Sequence, residues 1–160
     1  MRRLTAVLVV CAAGLALVGV ALANADRNYS VHLTGALEVP ANDSQAQGQA
    51  VFQLSQDGES LSYRLIVANI ENVTQAHIHL APPGSNGGVV AWLYPSAPPA
   101  MLIPGRTDGN LATGTITAAN LVGALAGQPL SALLEQLEAG NAYVNVHTSQ
   151  FPGGEVRGNF

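Results

Sequence analysis

The chain has 160 residues, no lysine and a single cysteine, Cys11. Beyond residue 25, four arginines (Arg27, Arg64, Arg106, Arg157) face ten Asp and Glu, a formal charge of −6. This balance argues against nucleic acid and against anionic membrane surfaces as partners, and makes cations the natural small ligands.

Met1-Arg2-Arg3 precedes an apolar run from Leu4 to Ala23, with small-x-small patterns at Ala21-Leu22-Ala23 and Ala23-Asn24-Ala25. Residues 1–25 are expected to form a secretory signal peptide, and residues 26–160 one exported domain in the periplasm, at the cell surface or in the medium. The run is also long enough to cross a bilayer, so a retained anchor is the alternative. No other membrane segment is expected. Cys11 follows Val10, where lipoprotein processing needs a small residue, so it is read as lost with the leader. The remaining chain must then be held by its core without a disulfide. About 135 residues suffice for one such core.

From Asn28 to Val39, Tyr29, Val31, Leu33 and Leu37 alternate with Ser30, His32 and Thr34, which predicts a half-buried strand with His32 toward solvent. Pro40 to Gln47 reads as a loop. Ala50, Phe52 and Leu54 alternate, Gln56-Asp57-Gly58-Glu59 turns, and Leu61, Tyr63, Leu65 and Val67 alternate again, a hairpin. Asn69 to Asn72 is read as a link to a further strand, Ala76-His77-Ile78-His79-Leu80. There the two imidazoles share one face and Ala76, Ile78 and Leu80 the other. Ala81 to Gly88, with two prolines and several glycines, is a loop able to approach a ligand closely.

Val89 to Tyr94 is an apolar strand. Pro95 to Pro104 holds four prolines and is expected as a surface excursion. Its flanks, Trp92 to Tyr94 and Met101 to Ile103, are either an interaction patch or packed back on the domain. Asn110 to Ile116 predicts a short strand and Thr117 a cap for a helical turn through Leu121. Pro129 begins a helix whose Leu130, Leu133, Leu134 and Leu137 form a core stripe and which Gly140 stops. Ala142 to Thr148 is a strand with Val144 and Val146 on one face, and Tyr143, Asn145 and His147 on the other. Phe151-Pro152-Gly153-Gly154 turns into a last strand, Glu155 to Phe160. Asn28-Tyr29-Ser30, Asn42-Asp43-Ser44 and Asn72-Val73-Thr74 match glycosylation sequons, but the leader is bacterial in style and they are read as chance. The fold class is mainly β: an antiparallel β-sandwich or partly closed Greek-key barrel with one or two short helices.

Several spaced motifs resemble a known family. They are Leu33-Thr34-Gly35-Ala36-Leu37-Glu38-Val39-Pro40, Gly48-Gln49-Ala50-Val51-Phe52, Leu61-Ser62-Tyr63 and Ala76-His77-Ile78-His79. Tyr143-Val144-Asn145-Val146-His147-Thr148 and Pro152-Gly153-Gly154-Glu155-Val156-Arg157-Gly158 complete the set. In order and spacing they are similar to the CHRD domain, over about residues 29–160. The resemblance implies a β-rich domain. The growth-factor binding of chordin, for which the domain is named, does not transfer with the fold. A weaker similarity is to copper/zinc superoxide dismutase, which implies copper ligands at His77, His79 and His147. Residues 80–146 contain no histidine, so that family's bridging ligand and zinc site are absent, and beyond the leader there is no cysteine for its disulfide.

Two constellations carry chemistry. His77, His79 and His147 form a candidate site for copper or zinc, since neutral imidazole suits both ions and three protein ligands leave an open position. Alternatively the rings are structural, hydrogen-bonded to loop backbone or to Glu155 and Asn145. Glu38, Asn145, Glu155 and Arg157 form a polar motif, in which Glu155 and Arg157 share a strand face, so that either can pair across to Glu38 or to the histidines; a buried or semi-buried structural ion pair is the preferred reading and an ordinary surface pair the alternative. No nucleophile or second convergent carboxylate accompanies them, so no enzyme is expected. The preferred function is a non-enzymatic binding or structural module for an unidentified protein or cell-surface component. The alternative is a copper or zinc protein, with copper-dependent redox activity as its enzymatic extension.

Overall fold

The computed structural model describes residues 28–160, so the signal-peptide reading of residues 1–25 lies outside the described residues. Seven strands form one antiparallel sheet: β1 (Asn28–Thr34), β2 (Gln47–Leu54), β3 (Leu61–Leu80), β4 (Gly88–Tyr94), β5 (Ile103–Ile116), β6 (Ala142–Thr148) and β7 (Val156–Asn159). The path β2-β1-β7-β6-β3 closes on itself through β2–β3 pairing, a five-stranded barrel, with β4 and β5 added on β3. Of the two expected architectures, the barrel is the one formed. One helix, α1 (Leu130–Glu138), packs all four stripe leucines against the core. Its end is set by Gly140 at φ 69°, a left-handed position that favours glycine. Thr117 caps a 3-10 turn (Ala118–Asn120) as expected, and a second such turn (Gly123–Leu125) follows. No described helix is long and apolar enough to cross a membrane.

Period-two patterning places Val31, Leu33, Ala50, Phe52, Leu61, Leu65, Val144, Val146 and Val156 inside the barrel, all 2% exposed or less. His32 is exposed, as the alternation predicts.

Three boundaries differ from the sequence reading. The first strand stops at Thr34 rather than Val39, because Gly35 turns into a 3-10 turn (Gly35–Leu37) whose Gly35 carbonyl accepts the Asn42 N–H. Leu37 is consequently 44% exposed, while Glu38 is carried inward. Asn69 to Asn72 does not interrupt the chain of pairing; β3 runs through it. Asn69 and Asn72 take φ of 57° and 54°, and the register with β5 shifts at both places. The asparagines bulge and bend the strand where the sequence suggests a break. The proline-rich excursion ends at Leu102, and β5 is twice the expected length because β3 provides a continuous edge from Leu61 to Val73.

The bend divides β3 into two environments. From Leu61 to Ala68 it pairs with β2 and shows one buried and one more open face. From Ala76 to Leu80 it pairs with β6 and β4, and residues 76–79 are buried on both faces. β6 is buried throughout. The sheet's outer face is therefore roofed there, and that face is the polar one.

Candidate metal centre

Residues directly opposite in an antiparallel pair share a face. His77 lies opposite Asn145 and His79 opposite Tyr143 on β6, while His77 lies opposite Trp92 on β4 and Asn145 opposite Arg157 on β7. The expected faces of the histidine strand and of β6 are thus both formed, and the barrel brings them together. Four polar side chains of this face (His77, His79, Asn145 and His147) are 2–7% exposed and Arg157 is fully buried.

The three histidines converge: one ring nitrogen from each lies within 4.8 Å of the other two. His77 Nδ1 is 3.2 Å from His147 Nε2. Two imidazoles bound to one ion at about 2.0–2.1 Å each would hold their nitrogens about 3.3–3.6 Å apart in trigonal or tetrahedral geometry. The remaining nitrogens explain the orientation. His79 Nδ1–H donates to the Gly87 carbonyl (2.9 Å) and His147 Nδ1–H to the Pro152 carbonyl (2.9 Å). A carbonyl only accepts, so each ring's proton sits on Nδ1 and each Nε2 presents a lone pair. Such outer hydrogen bonds are how a protein aims imidazole ligands. Both loop contacts run to loop backbone; they leave His79 Nε2 without a partner and turn His147 Nε2 toward His77 Nδ1.

Buried acceptors outnumber donors here. His77 Nε2, His79 Nε2, Asn145 Oδ1 and Glu38 Oε1 are all buried without a hydrogen-bond partner. Unpartnered buried polar atoms are rare, and each costs about 1–3 kcal/mol. Protons would relieve the excess only against strong resistance. Burial, with His147 and His79 adding their repulsion, pulls His77 down to about 3. Burial brings His147 to about 4 against the favourable Pro152 carbonyl. Burial also lowers His79, against the Gly87 carbonyl and the Asn145 side chain. At neutral pH the rings are uncharged, the form that binds metal.

Packing fixes the rest. Trp92 stands edge-on to His77, ring centres 4.3 Å apart at 86°. Tyr143 stacks on His79 at 4.8 Å and 6°, and the Arg157 guanidinium lies 3.5 Å over the Tyr143 ring. Arg157 donates to the Ser85 carbonyl (2.8 Å), Asn86 Oδ1 (3.2 Å) and Asn159 Oδ1 (3.3 Å). Gly87 N–H donates to the Tyr143 hydroxyl (3.2 Å). The glycine-rich loop does approach closely, but what it approaches is the His79 ring. A Cβ on Gly87 would strike the Leu80 carbonyl.

The buried ion pair expected within the polar motif does not form. Among the described residues the one ion pair is the exposed Arg106–Asp108 contact. Glu155 instead accepts from Ser44 Oγ (2.6 Å) and Thr148 Oγ1 (2.7 Å) and ties the 38–46 loop to β6. Glu38 lies beside Asn145 and Gly154, and burial raises its carboxyl to about 7 although Arg157 acts to lower it. The four residues of the motif are buried, but Arg157 is satisfied by amides, carbonyls and a π face, so no carboxylate has to meet it. The sequence reading missed Ser85, Asn86 and Gly87 as partners of this face; only the glycine content of their loop signalled it.

A family model described as the CHRD domain matches residues 29–160. No curated protein and no solved structure matches the chain. The dismutase likeness read from the sequence therefore gains no support from a solved structure.

Proposed function

The chain belongs to the CHRD domain family, and from that premise we propose that it is a small exported module that binds one copper ion at His77, His79 and His147. The family is not one of known enzymes, and the reading is a non-enzymatic one. The observation that carries it is the inward convergence of three neutral, buried imidazoles, two of them aimed by loop carbonyls. Imidazole suits copper and zinc alike. Copper, as the monovalent ion, is favoured because no carboxylate joins the donor set and the positive Arg157 side chain already acts on His79. A single added charge there costs less than two.

Metal uptake is measured on the purified, metal-free protein with copper under reducing, anaerobic conditions and, separately, with zinc. One equivalent of copper is expected to remain through gel filtration and to quench Trp92, the chain's single tryptophan. At free ion one hundred times Kd the stabilisation is about 2.7 kcal/mol, a rise in Tm of a few degrees for a domain this size. His147→Gln is expected to abolish uptake while the metal-free variant keeps its far-ultraviolet circular dichroism. No bound metal and no thermal shift with either ion would rule the site out. Zinc retained in preference to copper would overturn the charge argument alone.

A further inference from the structure

Asn86 is the one asparagine in the chain that is followed by glycine. It lies exposed on the loop between β3 and β4. A glycine in second place leaves its backbone nitrogen unshielded, so that this nitrogen can attack the asparagine's side-chain carbonyl carbon. The fold itself demands glycine there, because a Cβ on Gly87 would strike the Leu80 carbonyl. The polar atoms that such an attack involves are all held. Arg157 Nη1 donates to Asn86 Oδ1 (3.2 Å), Asn86 Nδ2 donates to the Val39 carbonyl (2.7 Å), and Gly87 N–H donates to the Tyr143 hydroxyl (3.2 Å). A guanidinium therefore stands where negative charge develops on Oδ1 as Cγ becomes tetrahedral. A hydroxyl oxygen stands where the attacking nitrogen gives up its proton.

We propose that Asn86-Gly87 is a site of spontaneous deamidation and that Arg157 directs the product to aspartate. The Gly87 nitrogen bonds to Asn86 Cγ, and the Cγ–Nδ2 bond breaks. The proton given up by the Gly87 nitrogen ends on Nδ2, which leaves as ammonia, and a succinimide ring closes in the loop. Water, which reaches the exposed residue, then opens the ring. Attack at the backbone carbonyl carbon would give isoaspartate, and attack at Cγ gives aspartate. The Arg157 guanidinium on Oδ1 polarises the Cγ carbonyl alone, so water adds there and the Gly87 nitrogen leaves with its proton restored. In sum, the amide and one water give a carboxylate and ammonium. The new carboxylate keeps an acceptor toward Arg157 Nη1 and loses the donor to Val39, so a loop tie is exchanged for an ion pair with the fully buried Arg157. None of this depends on the metal-binding reading.

The test is peptide mapping by mass spectrometry after the purified protein has aged for weeks at neutral pH, once folded and once held unfolded in guanidinium. Aspartate and isoaspartate at position 86 are told apart by electron-transfer fragmentation. The folded protein is expected to convert Asn86, with an aspartate-to-isoaspartate ratio about tenfold above that of the unfolded chain, the effect of one charge-assisted hydrogen bond on the choice of carbonyl. Conversion by way of transient unfolding would carry the unfolded ratio instead. Arg157→Gln should bring the folded ratio down to the unfolded one. Should that variant fail to fold, Tyr143→Phe, which removes only the hydroxyl, should slow conversion in the folded state and keep the ratio. Asn86 intact in the folded protein while the unfolded chain converts would overturn the site, since its contacts would then clamp the amide. Equal ratios in the two states would overturn the directing role of Arg157.

Discussion

Gly154 is the residue on which the polar face most visibly depends. Its φ of 129° is unfavourable for any side chain, and a Cβ would collide with Glu38 Oε1 and approach Asn145 Nδ2 at 2.7 Å. Gly154→Ala should therefore cost at least about 2 kcal/mol, the sum of a backbone penalty and the displacement of two buried groups. Gly153→Ala, one residue away in open space, should stay within about 0.5 kcal/mol of the parent. Urea unfolding followed by Trp92 emission separates them. Equal midpoints would show that the Glu38–Asn145 contact tolerates a methyl group. In the sequence, both glycines look alike. The difference is their backbone angle and what lies opposite, and neither is a local property of the residue type.

At the scale of the element, β3 determines where the histidines sit. Its alternation is plain in the sequence on both sides of residues 69–72, and so is the hairpin with β2. What the sequence reading takes for a linker is a bulged continuation, because asparagine is the side-chain-bearing residue that most readily adopts the left-handed backbone. Asn72 Oδ1 also accepts the Gly105 N–H (2.9 Å) and pins β5 to the bend. Asn72→Gly keeps the backbone and loses that bond, at about 0.5–1.5 kcal/mol. Asn72→Val adds β-branching at positive φ and should cost at least about 1–3 kcal/mol more. Thermal unfolding of the two variants decides it; a valine variant as stable as the glycine one would mean that the bend does not need φ near 54°.

At the scale of the whole molecule, burying the polar face couples stability to pH. In the unfolded chain the imidazoles take up protons near pH 6.5. In the native state burial holds His77 at about 3, His147 at about 4 and His79 below its ordinary value. Between pH 6.5 and about 4 the unfolded state binds more protons, so this contribution is present above 6.5 and is lost as pH falls. Glu38 acts in the opposite sense. Its native carboxyl is raised to about 7 from 4.5, so its contribution is present below 4.5 and is lost as pH rises through about 7. Three imidazoles outweigh one carboxyl, and the metal-free protein should gain stability from pH 4.5 to 6.5. Glu38→Gln should steepen that rise by removing the opposing group, and His147→Gln should flatten it. Urea midpoints across the pH range test this; a flat or falling profile in the parent would contradict the burial of neutral histidines.

The sequence by itself determined the strand faces, the helix with its four leucines, the hairpin and the identity of the three convergent histidines. Each of these follows from local periodicity or from short motifs whose spacing is carried along the chain. Only the tertiary structure decided that the barrel closes, that β3 passes through its asparagines, and that Arg157 rests on Tyr143 and loop amides instead of a carboxylate. Only it showed that Gly87 and Pro152 aim two of the rings. Those outcomes depend on which distant segments share an edge or a face. Hydrogen-bond partners between residues seventy positions apart leave no periodic trace in either segment, and the roof over the polar face exists only once the loops have been brought across it.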